Sequence, residues 1–338
     1  MAQTNLVTRV RWEVARAFDF STTSTPIPVI LAVSGGADSI CLADAVIAIA
    51  TVRSIAPIIA HLNHAIRGTA ADADAAFVQQ FAHDQHVPFE LGHTDVPALA
   101  HQMNVSLEVA ARMARYDFLA KVAEQHAALH VATAHQADDQ AETVLLRLIR
   151  GTGLSGLRGM QARSPMTGAP HITLLRPLLR LTRQEIEQYC ADRSLRTRHD
   201  ATNDDTVHTR NRIRHELLPT LAQYNPSIRV MLARLADTVS TDVEIIAYAT
   251  QQAFAKVSQP VEHGLRFDRA SWITLPLGLR RATLREAARV LRGNVVDLKY
   301  AAIEEACDVL TSANSGEIAL TADVRIHVQP NEFVIALV

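Results

Sequence analysis

Residues 28–39 have the sequence PVILAVSGGADS. The first part, Pro28 to Val33, is a continuous apolar run rich in β-branched residues, which is typical of a strand buried on both faces. The second part, Ser34 to Ser39, contains two adjacent glycines and leads into a helical pattern. Glycines allow positive φ and close approach of the backbone to a ligand. Because amides at such a turn and at the start of a helix attract anions, these residues predict a phosphate-binding loop.

Similar apolar runs recur through the first half of the chain and alternate with helical patterns. The predicted strands are 28–33, 58–61, 87–91, 130–134 and 172–175, and the predicted helices between them are 39–53, 71–86, 106–128 and 138–150. This alternation predicts an α/β fold, a doubly wound, Rossmann-like parallel sheet with helices on both faces. Ligands of such sheets bind at the carboxyl ends of the strands, which is where the glycine loop falls.

The second half of the chain has a different pattern. Pro219 and Pro226 interrupt the helices and predict a domain boundary near residue 222. Long helical patterns follow over 227–256, 277–290 and 298–310, and the final residues alternate around Gln329–Glu332 as in a β-hairpin. We therefore expect a first domain over 1–222 and a smaller, mainly helical domain with a terminal hairpin over 223–338.

Composition excludes several classes of protein. The chain of 338 residues has a net charge of −2 and is 48% apolar, so it has no bias toward disorder. Its three cysteines, Cys41, Cys190 and Cys307, are far apart, which argues against a disulfide framework, a zinc ribbon or a four-cysteine cluster. We expect neither a signal peptide nor a membrane span, since no apolar run approaches about 20 residues. The expected location is the cytoplasm.

Charge is distributed unevenly along the chain. Residues 1–144 carry a net charge of −7, whereas residues 145–219 carry +6, and all 13 basic residues of that segment are arginines. An arginine-rich segment favours an anionic partner such as RNA, whose backbone supplies much of the binding energy. The alternative is an ordinary solvated polar face.

Further motifs follow the glycine loop in a fixed order. They are HLNHAIRG at 61–68, EVAARMARY at 108–116, ATAHQADDQAETVLLRLIRGTG at 132–153, RPLL at 176–179, DATN at 200–203 and RNRIR at 210–214. The SGGADS loop resembles that of the PP-loop ATP pyrophosphatases. The order and spacing of all the motifs over residues 28–219 resemble the bacterial tRNA(Ile)-lysidine synthases.

The resemblance implies a reaction and its substrates. Enzymes of that family use ATP to adenylate C2 of the wobble cytidine in tRNA(Ile) with an unmodified CAU anticodon. The amine of free L-lysine then displaces AMP and forms lysidine. We accordingly expect ATP, Mg²⁺, lysine and tRNA as ligands, with ATP on the first domain, a tRNA-binding second domain and the anticodon between the two. Longer members of the family have a further C-terminal domain, so tRNA discrimination here is expected to use fewer surfaces or a homodimer partner.

The resemblance assigns ATP to the glycine loop and the residues that follow the second strand. The expected ATP-binding residues are Ser34, Gly35, Gly36, Ala37, Asp38, Ser39, His61 and Asn63. Asp38 is also the expected ligand of Mg²⁺ beside the phosphates. The simpler alternatives are a helix N-cap for Asp38 or Ser39 and a buried, hydrogen-bonded ring for His61.

Two carboxylates and two arginines are the expected catalytic groups. Asp139 and Glu142 lie three residues apart, on one face near the start of a helix, and the resemblance assigns them to lysine. Their alternative is N-terminal capping. Arg115 is expected to steady charge at the α-phosphate and Arg112 to position substrate; a surface ion pair with Glu108 is the other reading of Arg112.

Other arginines are expected to bind phosphate or RNA. They are Arg67, Arg150, Arg158, Arg210 and Arg214, and the sequence leaves open whether the last two contact ATP or tRNA. Glycines interleaved with arginines over 150–159 predict a flexible basic loop at the same rim. Gln136 departs from the family pattern, which often has a second histidine there.

Rival functions remain at this point. A tRNA-thiolating PP-loop enzyme commonly needs cysteine pairs, and the separation of the three cysteines argues against it. A nucleotide-sensing or RNA-binding module without catalysis has no need of Asp38, Asp139 and Glu142 together. A purely structural protein has no need of a glycine loop at a strand end.

Overall fold

The computed structural model describes residues 5–20, 25–66, 68–198, 209–293, 298–312 and 315–338. The chain divides into two compact units, Met1–Ser240 and Thr241–Val338. This division falls inside a long helix, beyond the boundary near residue 222 that the prolines suggest. The assignment of ATP to one domain and tRNA to the other stays a prediction.

The first unit is built on a six-stranded sheet. Its strands are β1 (Ile27–Ala32), β2 (Ile55–Asn63), β3 (Phe89–His93), β4 (His130–Ala132), β5 (Arg163–Met166) and β6 (Ala169–Leu175). Their order is β3-β2-β1-β4-β6-β5, and every neighbouring pair is parallel except β5 with β6. The predicted parallel sheet is confirmed, with the antiparallel edge strand β5 as an addition that the sequence did not indicate.

Helices cover both faces of this sheet. They are α1 (Leu6–Ala17), α2 (Ala37–Ile49), α3 (Thr69–Asp84), α4 (Val96–Met103), α5 (Leu107–Gln125), α6 (Ala137–Ile149), α7 (Leu154–Leu157) and α8 (Arg183–Asp192). Alternate residues of β1 enter different cores: Leu31 packs with residues of α1, α2, α3 and α8, whereas Ile30 packs with residues of α5. Because both faces are covered, the central residues of β1, Val29, Ile30 and Leu31, are fully buried, and the doubly wound arrangement is confirmed.

The strand order creates one switch point at the carboxyl edge of the sheet. From β1 the chain builds β2 and β3 on one side, and it then crosses to β4 on the other side. The carboxyl ends of β1 and β4 therefore flank the crevice where ligands of such sheets bind. β1 leads into the glycine loop, and β4 leads into residues 133–139 at the start of α6.

A helical segment after residue 208 packs along α6. It consists of α9 (Thr209–Arg212), a π-helical turn (Ile213–Leu217), α10 (Leu218–Tyr224) and the long helix α11 (Ile228–Val257). Ile213 and Leu218 are buried against Ala141 and Leu145 of α6. This packing brings the arginines of the RNRIR motif to the start of α6.

In its described residues, the second unit contains the end of α11, an antiparallel sheet and three further helices. Its elements are β7 (Ser258–Val261), β8 (Gly264–Asp268), α12 (Arg269–Ile273), α13 (Leu277–Arg292), α14 (Tyr300–Thr311), β9 (Gly316–Ala319), β10 (Val324–Val328) and β11 (Glu332–Leu337). The strand order is β7-β8-β11-β10-β9. The predicted terminal hairpin is β10–β11, but it belongs to a five-stranded sheet. Phe267 and Phe333 stack at its centre, 4.8 Å apart. Across the residues the structure describes, no helix combines the length and apolarity of a membrane span.

A buried ionic network joins α2 to α8. The Asp44 side chain is 3% exposed and accepts a hydrogen bond of 2.6 Å from the Tyr189 hydroxyl. Arg193 donates to both carboxylate oxygens of Asp44, at 3.1 and 3.2 Å. A buried carboxylate is tolerated only with such partners, so this network fixes the helix that carries the glycine loop against its neighbour.

Tyr189→Phe is expected to lower the free energy of unfolding by about 1–3 kcal/mol, because Asp44 loses a buried donor. The measurement is the urea midpoint by circular dichroism. Tyr224→Phe is the matched control, since Tyr224 is 85% exposed and its substitution is expected to leave the midpoint unchanged. Equal midpoints for Tyr189→Phe and the wild type would contradict the role of this network.

Candidate functional site

The glycine loop between β1 and α2 is organised by the Ser39 hydroxyl. Ser39 Oγ accepts hydrogen bonds from the amides of Ser34 and Gly35, both at 3.1 Å, and donates to the Gly36 carbonyl at 2.9 Å. Gly35 has φ of +96°, and a Cβ there would meet the Phe77 ring at 3.4 Å, so the position requires glycine.

This arrangement divides the loop amides into two groups. Those of Ser34 and Gly35, which the sequence assigns to ATP, are bonded to Ser39 Oγ. The first amides of α2, at Ala37 and Asp38, have no acceptor within the helix and lie at its positive end. The anion-binding capacity of the loop is therefore concentrated at the start of α2.

Asp38 lies in an acidic environment at the same edge of the sheet. Burial is the main cause that raises the pKa of Asp38 to about 6, and the charges of Asp139 and Asp138 add to it, whereas Arg183 opposes it. Within the described part of the chain, no basic side chain forms an ion pair with Asp38. A cation bound beside Asp38 would therefore stabilise its ionised carboxylate.

The fit of Asp38 to Mg²⁺ depends on the phosphates. Over the described ranges, no cluster of three or more His, Cys, Asp and Glu side chains is suited to hold a metal. Mg²⁺ commonly uses one or two protein carboxylates and takes its other ligands from substrate phosphates and water. Asp38, next to the anion-binding end of α2, fits that pattern as a single protein ligand.

Asp139 and Glu142 form a compact ionic cluster with two arginines. Glu142 is 1% exposed; Arg214 Nε donates to its Oε1 at 2.5 Å, and Arg210 Nε donates to its Oε2 at 2.9 Å. Both guanidinium groups also reach Asp139 Oδ1, at 3.2 and 3.4 Å. The two arginines, assigned by sequence to phosphate, thus face carboxylates in this structure, and their contact with ATP or tRNA stays a prediction.

Asp139 also caps the start of α6, which was the alternative to its role in lysine binding. Asp139 Oδ2 accepts a hydrogen bond of 3.1 Å from the Gln136 amide, and the Gln136 side chain accepts one of 2.7 Å from the Asp138 amide. Gln136 is therefore the N-cap of α6. Asp138 itself pairs with Arg229, 3.0 Å away, an interaction that the sequence did not indicate.

His61 and Asn63 lie below and beside the glycine loop. His61 is 5% exposed and its Nδ1 lies 2.8 Å from the Val33 carbonyl, so it matches the buried, hydrogen-bonded alternative. Asn63 bonds Asp72 and the Ala65 amide. Both side chains support the loops after β1 and β2, and their contact with a nucleotide stays a prediction.

The remaining predicted residues have different positions. Arg112 and Arg115 are exposed on α5, and Arg112 lies over the Tyr116 ring, 4.8 Å from its centroid. In the part of the chain that the structure covers, Glu108 and Arg112 form no ion pair. Arg150 is exposed at the end of α6. Arg67 and the DATN motif at 200–203 lie outside the described residues.

A cleft of about 500 Å³ lies beside the carboxyl ends of β4 and β6. Besides the predicted Arg112 and Arg158, it is lined by His135, Arg147 and Arg176, to which the sequence analysis gave no role. These three residues belong to motifs quoted above, and the basic excess of residues 145–219 was the available signal.

The glycine-rich segment over 150–159 is more ordered than the sequence suggests. It contains the short helix α7, and Arg147 Nη1 donates to the carbonyls of Gly156 and Gly159 at 2.9 and 2.8 Å. The predicted flexible loop is in this structure a hydrogen-bonded rim of the cleft.

The cysteines require a correction. Cys41 and Cys190 are remote in sequence, but both belong to the same hydrophobic core, and Cys190 Sγ lies 3.6 Å from the Ala37 carbonyl at the start of α2. Both are buried in the core, and all three cysteines are free. Distance along the chain therefore does not exclude a cysteine pair, and it is their burial that argues against thiolation chemistry.

Comparison with known proteins agrees with the motifs. A family model described as a PP-loop domain matches residues 10–221. A tRNA(Ile)-lysidine synthase of Geobacter sulfurreducens is 38% identical over 310 residues, which cover 91% of this chain and 64% of the relative. A tRNA(Ile)-lysidine synthase of Clostridium acetobutylicum is 40% identical over 215 residues, which cover 63% of this chain and 45% of the relative. The resemblance to this family is confirmed.

The chain spans less than two thirds of the length of these relatives. Among solved structures, a U34-tRNA thiolase from Methanococcus maripaludis aligns with a TM-score of 0.56 at 16% identity, covering 69% of this chain and 78% of that one. Identity this low supports the PP-loop fold and no particular activity.

Asp38→Asn is expected to stabilise the protein at pH 8. A folded-state pKa of about 6 against an ordinary value of 3.8 means that the folded protein binds the proton more tightly, so stability falls as pH rises from about 4 to 6. Removing the charge should regain up to about 3 kcal/mol at pH 8 and much less near pH 4. Thermal melts at both pH values test this.

The matched control is Asp19→Asn, because the Asp19 side chain is 83% exposed. Its melting temperature should change little at either pH. A lower melting temperature for Asp38→Asn at pH 8 would show that Asp38 is stabilised in its ionised form, contrary to the expectation.

Proposed function

Because this chain belongs to the PP-loop family, whose model matches residues 10–221, we propose that it ligates lysine to the wobble cytidine of tRNA(Ile) at the expense of ATP. The observation that carries the proposal is the placement of the SGGADS loop and the acidic start of α6 on the two sides of one switch point. An anion site and a cation site there lie next to each other, as a reaction between a nucleotide and an amine requires.

The first step is adenylation of the cytidine. The positive end of α2 holds the phosphates, and Asp38 would hold Mg²⁺, which would supply positive charge to neutralise them. The O2 atom of cytidine forms a bond to the α-phosphorus, and the bond from that phosphorus to pyrophosphate breaks. Arg115, on α5, supplies positive charge for the developing transition state, and Arg112, on the same helix, positions the substrate.

The second step is attack by lysine. Its side-chain amine forms a bond to C2, the bond from C2 to the adenylated oxygen breaks, and AMP leaves with that oxygen. Asp139 and Glu142 hold the ammonium group and accept its proton. They are already paired with Arg210 and Arg214, so the incoming ammonium group competes with two guanidinium groups for the same carboxylate oxygens.

The tRNA is held mainly by arginines. The segment 145–219 carries the basic excess. Arg150 is exposed at the end of α6, and Arg158 is half-buried just after α7. The second unit is proposed as a tRNA-binding domain that contacts tRNA outside the anticodon.

The direct test mixes the protein with ATP, labelled lysine and an unmodified tRNA(Ile) transcript. Label is expected to enter the RNA, with one AMP and one pyrophosphate released for each lysine attached. The matched control is the same transcript with uridine in place of the wobble cytidine, which should take up no label. Asp38→Ala should reduce labelling at least about 100-fold, because the protein loses the carboxylate that would hold Mg²⁺ beside the phosphates. RNA binding without label or AMP would support the catalysis-free RNA-binding module instead.

Glu142→Gln is expected to raise the KM for lysine about 10-fold, because one charge that binds the ammonium group is lost, while the KM for ATP changes little. Steady-state kinetics with each substrate varied in turn separates the two constants. Glu216→Gln serves as control, since Glu216 is on the adjacent π-helical turn but its side chain is 56% exposed. An unchanged KM for lysine in Glu142→Gln would remove Glu142 from lysine binding.

A further inference from the structure

The cleft beside β4 and β6, here called the arginine cleft, has an unusual lining. Four arginines line it, Arg112, Arg147, Arg158 and Arg176, and among its lining residues there is no aspartate or glutamate. Within the residues that the structure describes, none of the four forms an ion pair with a carboxylate. The cleft therefore concentrates positive charge that no acidic side chain offsets.

Arg176 forms the buried side of the arginine cleft. It follows β6, is 8% exposed, and donates from Nη1 to the Gln161 carbonyl at 2.6 Å and to Ser164 Oγ at 3.1 Å. Its Nε is buried and finds no hydrogen-bond partner among the described residues. Burial also lowers the pKa of Arg176. A buried guanidinium group with an unused donor is costly unless an anion binds beside it.

The opposite rim is held in place by its own hydrogen bonds. Gln140 exchanges two of them with the backbone of Met160, at 2.7 and 2.9 Å. Gly159 has φ of +59°, and a Cβ there would lie 2.5 Å from Gln140 Oε1. With Arg147 bonded to the carbonyls of Gly156 and Gly159, the rim is built to carry Arg158 at the cleft.

His135 adds a neutral polar group to the arginine cleft. Burial, together with the charges of Arg176, Arg210, Arg115 and Arg112, lowers the pKa of His135 to about 3. The ring is therefore uncharged at neutral pH, with Nδ1 2.9 Å from Thr133 Oγ1. The charge of the cleft comes from its arginines alone.

We propose that the arginine cleft binds a backbone phosphate of the RNA substrate, next to the cytidine whose base reaches the glycine loop. The proposal rests on the proposed function and specifies how the substrate is held. Guanidinium groups match phosphate oxygens in geometry and remain charged. The shared chemistry is a phosphate oxyanion, which the triphosphate of ATP also offers.

The position of the cleft favours RNA over ATP. β4 and then β6 follow β1 in the sheet, so the cleft beside them is displaced from the glycine loop by one to two strands, about 5–10 Å at the usual strand spacing. That is the scale of one nucleotide from its base to its phosphate. The rim also belongs to the basic segment 145–219 and adjoins the exposed Arg150.

The experiment measures two affinities in parallel. The first is that of the full-length protein for a tRNA(Ile) transcript over a range of salt concentrations. The second is that for a non-hydrolysable ATP analogue without RNA, by calorimetry. The variants are Arg158→Ala and Arg158→Lys, and Arg176→Lys, which keeps the buried charge. The matched control is Arg53→Ala, since Arg53 lies two residues before β2, at the amino end of that strand, whereas the cleft lies at the carboxyl ends of β4 and β6.

Arg158→Ala is expected to weaken tRNA binding about 10-fold and to reduce the slope of log Kd against log salt by about 0.7–0.9, the loss of one phosphate contact. Arg158→Lys should restore the slope, because a lysine still neutralises the phosphate. Arg176→Lys should weaken tRNA binding while leaving the slope unchanged. Affinity for the ATP analogue should be unchanged in all variants, and Arg53→Ala should behave as wild type.

Two results would overturn the proposal. Wild-type tRNA affinity and slope in Arg158→Ala and Arg176→Lys would show that no RNA phosphate occupies the cleft. Weaker binding of the ATP analogue with unchanged tRNA binding would assign the cleft to the triphosphate. Failure of the proposed function is distinct, because the wild-type protein itself would then attach no lysine to tRNA.

Discussion

The buried carboxylate of Glu142 is the constraint on which the arrangement at the sheet edge depends. A carboxylate that is 1% exposed must be neutralised, and Arg210 and Arg214 do this from a segment 68 and 72 residues further along the chain. The apolar contacts of Ile213 and Leu218 with α6 hold that segment in place. Charge compensation and core packing thus depend on each other, and together they place two arginines at the start of the helix that carries Asp138 and Asp139.

Unpaired charges of opposite sign lie on the two sides of β4. On the β1 side, Asp38 has no ion-pair partner in the described residues, and the charges of Asp139 and Asp138 help to raise its pKa. On the β6 side, the arginine cleft has no carboxylate in its lining. A reaction that joins an ammonium group to a polyanion needs both environments within one substrate's length. Since both regions lie at the carboxyl ends of neighbouring strands, the sheet itself provides that proximity.

The sequence revealed those parts of the fold that are encoded locally. Mainly apolar runs predicted all five parallel strands, most clearly β1, whose central residues are buried on both faces. β5 was missed since it is short, carries Pro165 and lies at the edge of the sheet. Of the strands in the second unit, only the terminal hairpin was predicted, because these strands are only four to six residues long. Motif residues at strand-to-helix turns were found for the same local reason. The pairing of Glu142 with Arg210 and of Asp138 with Arg229 depends on tertiary packing, which no spacing in the chain indicates.

Cys41 and Cys190 illustrate the limit of arguments from spacing. Their separation along the chain suggested isolated thiols, yet α2 and α8 pack side by side and bring them into the same hydrophobic core. The same packing makes them inert, because both are buried among apolar side chains. His135 and Arg176 show the opposite case. Each is a single residue within a motif, and each acquires its chemical character from burial beside other arginines. What distinguishes a reactive or ligand-binding side chain here is the charge and exposure that the fold assigns to it.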